Sequence, residues 1–318
     1  MSALFATFSM AAADVSFKGT GRVGVVYNEE NKNVQNVDKV NLNTRLRLQF
    51  NMLTQSDAGV VVSAQLRAQA DQGNGKAESA SWNGGVIGVG LGAVQLEFGN
   101  ISGAIDDLPN LNMPTPSIFT GVTGLGSSGL DLVDVDGYSS TGSGTNNGVN
   151  FKYSMGPLGL HVSHSGTGAD DERTAANVKY NVSGFKIAVG AQRSESKNDK
   201  GLKDENIFVA TLGGDLGFME AGVGFSQSEN IGVNDADVDK VRVYGKIPLG
   251  AATNLLLWAA DEDENVEMKD NGSLITNDGG SFGVDVSHNL GGGVTFVAGF
   301  ADNSDGYQEA DAGILFEF

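Results

Sequence analysis

Between Val40 and Met52 the chain keeps a period of two without a break. Val40, Leu42, Thr44, Leu46, Leu48, Phe50 and Met52 share one parity, and Asn41, Asn43, Arg45, Arg47, Gln49 and Asn51 share the other. That spacing is a β-strand with one apolar and one wetted face. Strands of globular proteins usually run about 5–6 residues. A tilted strand crossing a bilayer needs about 9–11, plus a rim at each end. The run therefore predicts a membrane-spanning strand.

The same rhythm fills most of the chain. Val15, Phe17, Val23, Val25 and Tyr27 form one face of a first strand, with Gly19 and Gly21 between them and Lys18 and Arg22 opposite. Val60 to Asp71, Val94 to Gly99, Val149 to Met155 and Phe185 to Ala191 alternate likewise, and Ala310 to Phe318 closes the chain in the same way. Tight connections such as Gly156-Pro157, Ser183-Gly184 and Leu290 to Gly293 alternate with longer, mostly acidic ones such as Glu195 to Asp204 and Asp261 to Asp278. Short turns at one end and long loops at the other are the asymmetry of a transmembrane barrel. The expected fold is all-β, with about 16 antiparallel strands, the even number that brings both chain ends to one side.

Composition excludes several alternatives. There is no Cys among the 318 residues, so no disulfide framework, thiol nucleophile or Cys-held metal is available. A formal net charge of -19 is the wrong sign for a nucleic-acid partner. No run of about 18 apolar residues suggests a membrane helix, and no short fixed repeat suggests a solenoid. His161, His164 and His288 lie on ordinary strands with no partner at metal or triad spacing, so no catalytic constellation is readable and the chain is not expected to be an enzyme. Residues 1–13 are apolar and end in Ala11-Ala12-Ala13. They are read as a truncated signal-peptide remnant lacking a basic start, which leaves 14–318 as a single barrel domain.

One stretch breaks the rhythm. Residues 100–147 carry Pro109, Pro114, Pro116, many Gly and Ser, and Asp106, Asp107, Asp131, Asp134 and Asp136. A loop of this length in a compact domain is usually functional or disordered. The reading here is that it folds into the barrel as a constriction loop and narrows the lumen.

The whole pattern resembles a general bacterial outer-membrane porin of the alphaproteobacterial, Rhodobacter-like type. The resemblance is carried by the first hairpin from Val15 to Phe50, by the strand Val94 to Gly99 entering the long segment, and by the run from Gly291 to Phe318. It implies a 16-stranded homotrimer in the Gram-negative outer membrane, among outer-membrane lipids, with the loop after the fifth strand forming an eyelet. The terminal Phe318, preceded by apolar residues at every second position, resembles the signal that the outer-membrane barrel assembly machinery reads.

Parity places Lys18, Arg22, Arg45, Arg47 and Arg67 on the polar face of three adjacent strands. They would make a basic wall of the constriction, with Asp106, Asp107, Asp131, Asp134 and Asp136 on the acidic loop across it. Opposed charges set a transverse field that orients dipolar solutes; the alternative is plain lumen charge. Asp134 and Asp136 have a spacing that can contribute to a calcium site, although the full calcium-loop pattern is missing. No cofactor is otherwise required. Trp82, Trp258, Tyr27, Tyr153 and Tyr180 are candidates for aromatic girdles at the membrane rims. The expected function is a passive, weakly selective diffusion pore for small hydrophilic solutes and ions. The acidic excess suggests modest cation preference, against which the basic wall acts. The competing readings are a solute-specific channel with a saturable binding site and a secreted structural β-protein.

Overall fold

The computed structural model describes residues 14–33, 38–73, 76–77, 79–114, 132, 147–166, 172–195, 204–231, 236–265, 279–304 and 306–318. Among them, sixteen strands form one antiparallel sheet that closes on itself. They are β1 (Asp14–Asn28), β2 (Val40–Gln55), β3 (Val61–Gly73), β4 (Val86–Leu91) and β5 (Val94–Gly99). After the long loop come β6 (Gly148–Met155), β7 (Leu158–Ser165), β8 (Glu172–Val182), β9 (Phe185–Glu195) and β10 (Glu205–Asp215). The barrel continues through β11 (Glu220–Ile231), β12 (Ala236–Pro248) and β13 (Thr253–Asn265) to β14 (Gly279–Gly291), β15 (Val294–Asp302) and β16 (Gln308–Glu317). Two short pieces, Lys76–Ala77 and Ser81–Trp82, pair with β3 on its way to β4. The 3-10 turn Glu30–Asn33 is the one helical element among the described residues.

The distribution of side chains is inverted relative to a water-soluble protein. On β12, Val241 and Val243 are 44% and 48% exposed, whereas their neighbours Lys240 and Arg242 are each 1% exposed. Phe208 and Leu212 of β10 and Ile187 and Val189 of β9 are exposed in the same way. In water this outer surface would be a continuous apolar patch far beyond what a monomer tolerates. Facing hydrocarbon it is at no disadvantage, and the polar residues of the other parity line the interior.

Closure satisfies the backbone. In a bilayer an unpaired N–H or C=O costs several kcal/mol, so a sheet can cross only if it has no edge. β1 pairs with β2 along Asp14 to Tyr27 and with β16 from Thr20 to Asn28. Beyond that register, Gly19 N–H donates to the Phe318 carbonyl at 2.8 Å and Phe318 N–H donates to the Gly19 carbonyl at 2.9 Å. The last residue therefore completes the seam.

The side chains at the seam fit one another. A Cβ at Gly19 would lie 2.2 Å from the Phe318 ring, and one at Gly21 would lie 2.2 Å from Phe316. The two rings stack with centroids 6.2 Å apart over the glycine backbone. Large aromatics covering glycines on a neighbouring strand restore the packing that a missing side chain loses. Gly19→Leu is expected to destabilise the barrel by about 1–3 kcal/mol, as overpacking does. Urea unfolding in lipid or detergent, read as loss of heat-modifiable mobility, checks it; an unchanged midpoint would mean that the seam does not depend on this fit.

Candidate functional site: a tethered loop and an arginine wall

Ala104, Ile105, Leu108, Leu111 and Leu132 of the long loop are buried inside the barrel against Ala175 of β8, Ala188 of β9, and Ile207 and Val209 of β10. The loop thus adds a small apolar core to a lumen that wall side chains do not fill. Glycines on the inner wall make room for it. A Cβ at Gly190 would lie 2.7 Å from Leu108 Cδ1, and one at Gly224 would lie 2.5 Å from Leu132 Cδ2.

Polar tethers from successive strands fix the loop backbone, which has no ladder of its own. Asn150 of β6 donates to the Ser102 carbonyl at 3.0 Å, and Ser163 Oγ of β7 accepts from Ala104 N–H at 2.9 Å. Asn177 of β8 donates to the Ala104 carbonyl at 2.5 Å, and Thr211 of β10 to the Pro109 carbonyl at 2.6 Å. Ser226 of β11 donates to the Leu132 carbonyl. Arg242 of β12 donates to the Asn110 carbonyl at 3.1 Å and also to that of Leu111. Asn110 itself has φ 59°, a left-handed conformation that Asn tolerates better than most residues. Its side-chain oxygen accepts from the Tyr244 hydroxyl at 3.1 Å. The described part of the loop therefore runs along the wall from β6 to β12.

Asp107 is fixed electrostatically. Its Oδ2 lies 3.2 Å from His161 Nδ1, 3.7 Å from Lys152 Nζ and 3.8 Å from Lys179 Nζ. Lys152 is also 3.0 Å from Glu97. Burial alone would raise the Asp107 carboxyl, but the His161 ring, Lys152 and Lys179 outweigh it and hold the group below the usual carboxylate range. Asp107 thus latches the loop to β6, β7 and β8; the structure does not bring it to the arginines. Asp106 lies beside it, half-buried. Asp131, Asp134 and Asp136, with the calcium reading of the last two, lie outside the described residues.

The basic residues do come together. Cross-strand register places inner positions of β1, β2 and β3 in rows: Arg22 with Arg45 and Asp71, Thr20 with Arg47 and Gln69, and Lys18 with Gln49 and Arg67. Arg22 Nε donates to Asn43 Oδ1 at 3.1 Å, Arg45 pairs with Asp71, and Arg47 Nε donates to Gln69 Oε1 at 2.5 Å. One carboxylate and several amides interleave the guanidiniums, which otherwise repel. Lys18 is exposed, four positions along β1 from Arg22 and about 13 Å away at the usual strand rise. In strand order around the ring, β1 to β3 lie opposite the wall that carries the loop.

Two features escaped the sequence reading. His161 has a partner, an aspartate 54 positions away that only the folded loop delivers; parity over four consecutive strands would have gathered Glu97, Lys152, His161 and Lys179 on one inner face. Trp258 is not a girdle residue. It is 4% exposed and faces inward beside Tyr244 and Met113, over Gly283, because its parity is that of Leu256 and Ala260. Trp82 and Tyr180 do lie on the exposed outer face.

A family model described as Gram-negative porin matches residues 1–306. The chain belongs to the Gram-negative porin family. A curated porin from Fuscovulum blasticum is 23% identical over 341 residues, covering 96% of this chain and 100% of that protein. A triple mutant of Rhodopseudomonas blastica porin superposes with a TM-score of 0.72 at 18% identity, over 96% of this chain and 100% of the other. A structure described as showing asymmetric conductivity of engineered proteins superposes with a TM-score of 0.73 at 19% identity, over the same shares. This porin is a passive diffusion pore of the Gram-negative outer membrane, a multi-pass β-barrel and a channel rather than an enzyme.

The tethers and the latch each give an expectation. Arg242→Ala takes this donor from the half-buried Asn110 carbonyl and the buried Leu111 carbonyl, the second at a cost of about 1–3 kcal/mol. It should loosen the loop, seen as protease cleavage within residues 100–114 and a larger, noisier single-channel current. A carboxyl held below its ordinary value contributes stability in full above about pH 3.9 and loses it as pH falls through the lowered value. The Asp107 share of loop docking should therefore persist at neutral pH and disappear only in acid. In Asp107→Asn the acid-dependent part of loop release, read by the same cleavage, should be absent.

Proposed function

We propose that the tethered loop and the arginine rows bound an eyelet that passes small hydrophilic solutes and ions with weak selectivity. The observation that carries this reading is the placement of Arg22, Arg45, Arg47 and Arg67 on β1 to β3, across the ring from the wall to which the loop is tied. The loop sets the width. The arginines, with Asp71 among them, set a field across the opening, and the cationic wall offsets the formal net charge of -19. Rings and walls of fixed charge tune selectivity without tight binding.

The pore acts as a homotrimer among outer-membrane lipids, and Phe318 is the residue the barrel assembly machinery reads. The apolar outer face supports the first half of that statement, since it suits lipid and a neighbouring subunit alike. The place of Phe318 at the closing seam, where its backbone exchanges two hydrogen bonds with Gly19, supports the second.

Single-channel conductance and reversal potential in planar bilayers test the reading. Stepwise openings in threes with weak ion selectivity are expected. Neutralising Arg22, Arg45 and Arg67 together to Gln should move the permeability ratio toward cations by roughly twofold or more, with a smaller shift at high salt. An unchanged reversal potential would remove the arginines from the constriction.

A further inference from the structure

Between Asn110 and the tight-turn end of the barrel, the inner wall and the loop border an open cavity of about 450 Å³. Its polar lining is Lys186 of β9, Asp215 of β10, Glu220 of β11, Lys246 of β12 and Asn254 of β13, with Asn110 above them. Cavities of about 300–1,000 Å³ are the usual size for small-molecule sites. The charges here are not spent on one another. Glu220 and Lys246 stand opposite in register, yet neither they nor Lys186 forms an ion pair among the described residues. Asp215 gives one oxygen to Gly217 N–H at 2.7 Å, which fixes the turn. The remainder is two ammonium groups and an uncommitted carboxylate around one volume, with glycine backbone as much of the floor.

A simple anion would meet Glu220 and Asp215, and a simple cation would meet both lysines. A solute carrying both charges satisfies both sets. Building on the pore reading above, we propose that this cavity is a transient residence site for a small zwitterion, with Lys186 and Lys246 taking its carboxylate and Glu220 its ammonium group. Charge-assisted hydrogen bonds of this kind are the stronger class. The site is half-open to water, so affinity falls on the order of millimolar. Weak residence is what conduction requires, since a solute must bind well enough to enter and loosely enough to leave.

The test uses the full-length folded barrel in planar bilayers, with L-alanine as zwitterion, lactate as anion and glycerol as neutral control. Each block is normalised to the open-channel current of the same variant. L-Alanine should reduce the current saturably at millimolar concentration, well beyond glycerol. Lys246→Gln should raise its half-blocking concentration by roughly tenfold, the loss of about one charge-assisted contact. Glu220→Gln should do the same for L-alanine and not for lactate. If L-alanine acts no differently from glycerol, or if both variants leave its block unchanged, the proposal is overturned. Lactate blocking as well as L-alanine, with L-alanine indifferent to Glu220→Gln, overturns the zwitterion in favour of an anion. An absence of any current from folded protein would remove the pore reading and this site with it, whereas an open channel without saturable block removes the site alone.

Discussion

Closure of the hydrogen-bonded ring is the constraint on which everything else rests. Once β1 is paired on both sides, the sheet has no edge strand among the described residues, and the ladder hydrogen bonds of the wall are made strand to strand. Only then can the outer parity be given mainly to apolar side chains and the inner parity to polar and charged ones. The seam shows how narrowly this is arranged. Two backbone bonds from Phe318 and two glycines beneath Phe316 and Phe318 bring the first and last strands together. A chain shortened by one residue would lose both of those bonds.

A ring of this size leaves a lumen that its own side chains do not fill, and the loop after β5 meets that need. It does so in two chemistries at once. Its apolar residues sit on alanines and glycines, which keep the wall thin where the loop lies against it. Its carbonyls are taken one by one by Asn150, Asn177, Thr211, Ser226 and Arg242 from consecutive parts of the wall. Hydrogen bonds made in a low-dielectric interior fix direction as well as proximity, which an apolar contact alone would not. Arg242 and Lys240 illustrate the expense of that precision. Both are buried charges, and they are tolerable because Arg242 has loop carbonyls and Lys240 has Glu262 at 2.9 Å. The β6 to β12 wall is thereby committed, at the level of the loop, to holding it, and the arginine rows stand on the opposite wall.

The wall was legible in the sequence because a period of two is a local signal. Val40 to Met52 announces its faces with no knowledge of its neighbours, and parity alone put Arg22, Arg45, Arg47 and Arg67 on one surface. Reading failed where a contact depends on register between distant strands or on the path of a loop without period. Asp107 was expected to look across the aperture and instead turns back to Lys152, His161 and Lys179. His161 looked solitary because its partner arrives from the loop. Trp258 looked like a rim aromatic because of its residue type, while its parity with Leu256 and Ala260 carried the better information. Composition suggested the class of side chain, and parity decided the side of the membrane wall it serves.

The loop lies on the β6 to β12 wall inside the barrel. The chain has no native cysteine, so a pair introduced at Leu108 and Gly190 reports that contact without background. A Cβ at Gly190 would lie 2.7 Å from the Leu108 side chain, so a disulfide or a short thiol cross-link should form in the folded, heat-modifiable protein. The cross-linked protein should still conduct. Failure to cross-link in folded barrel, or a cross-link that abolishes the current, would contradict a loop that narrows the pore from that wall.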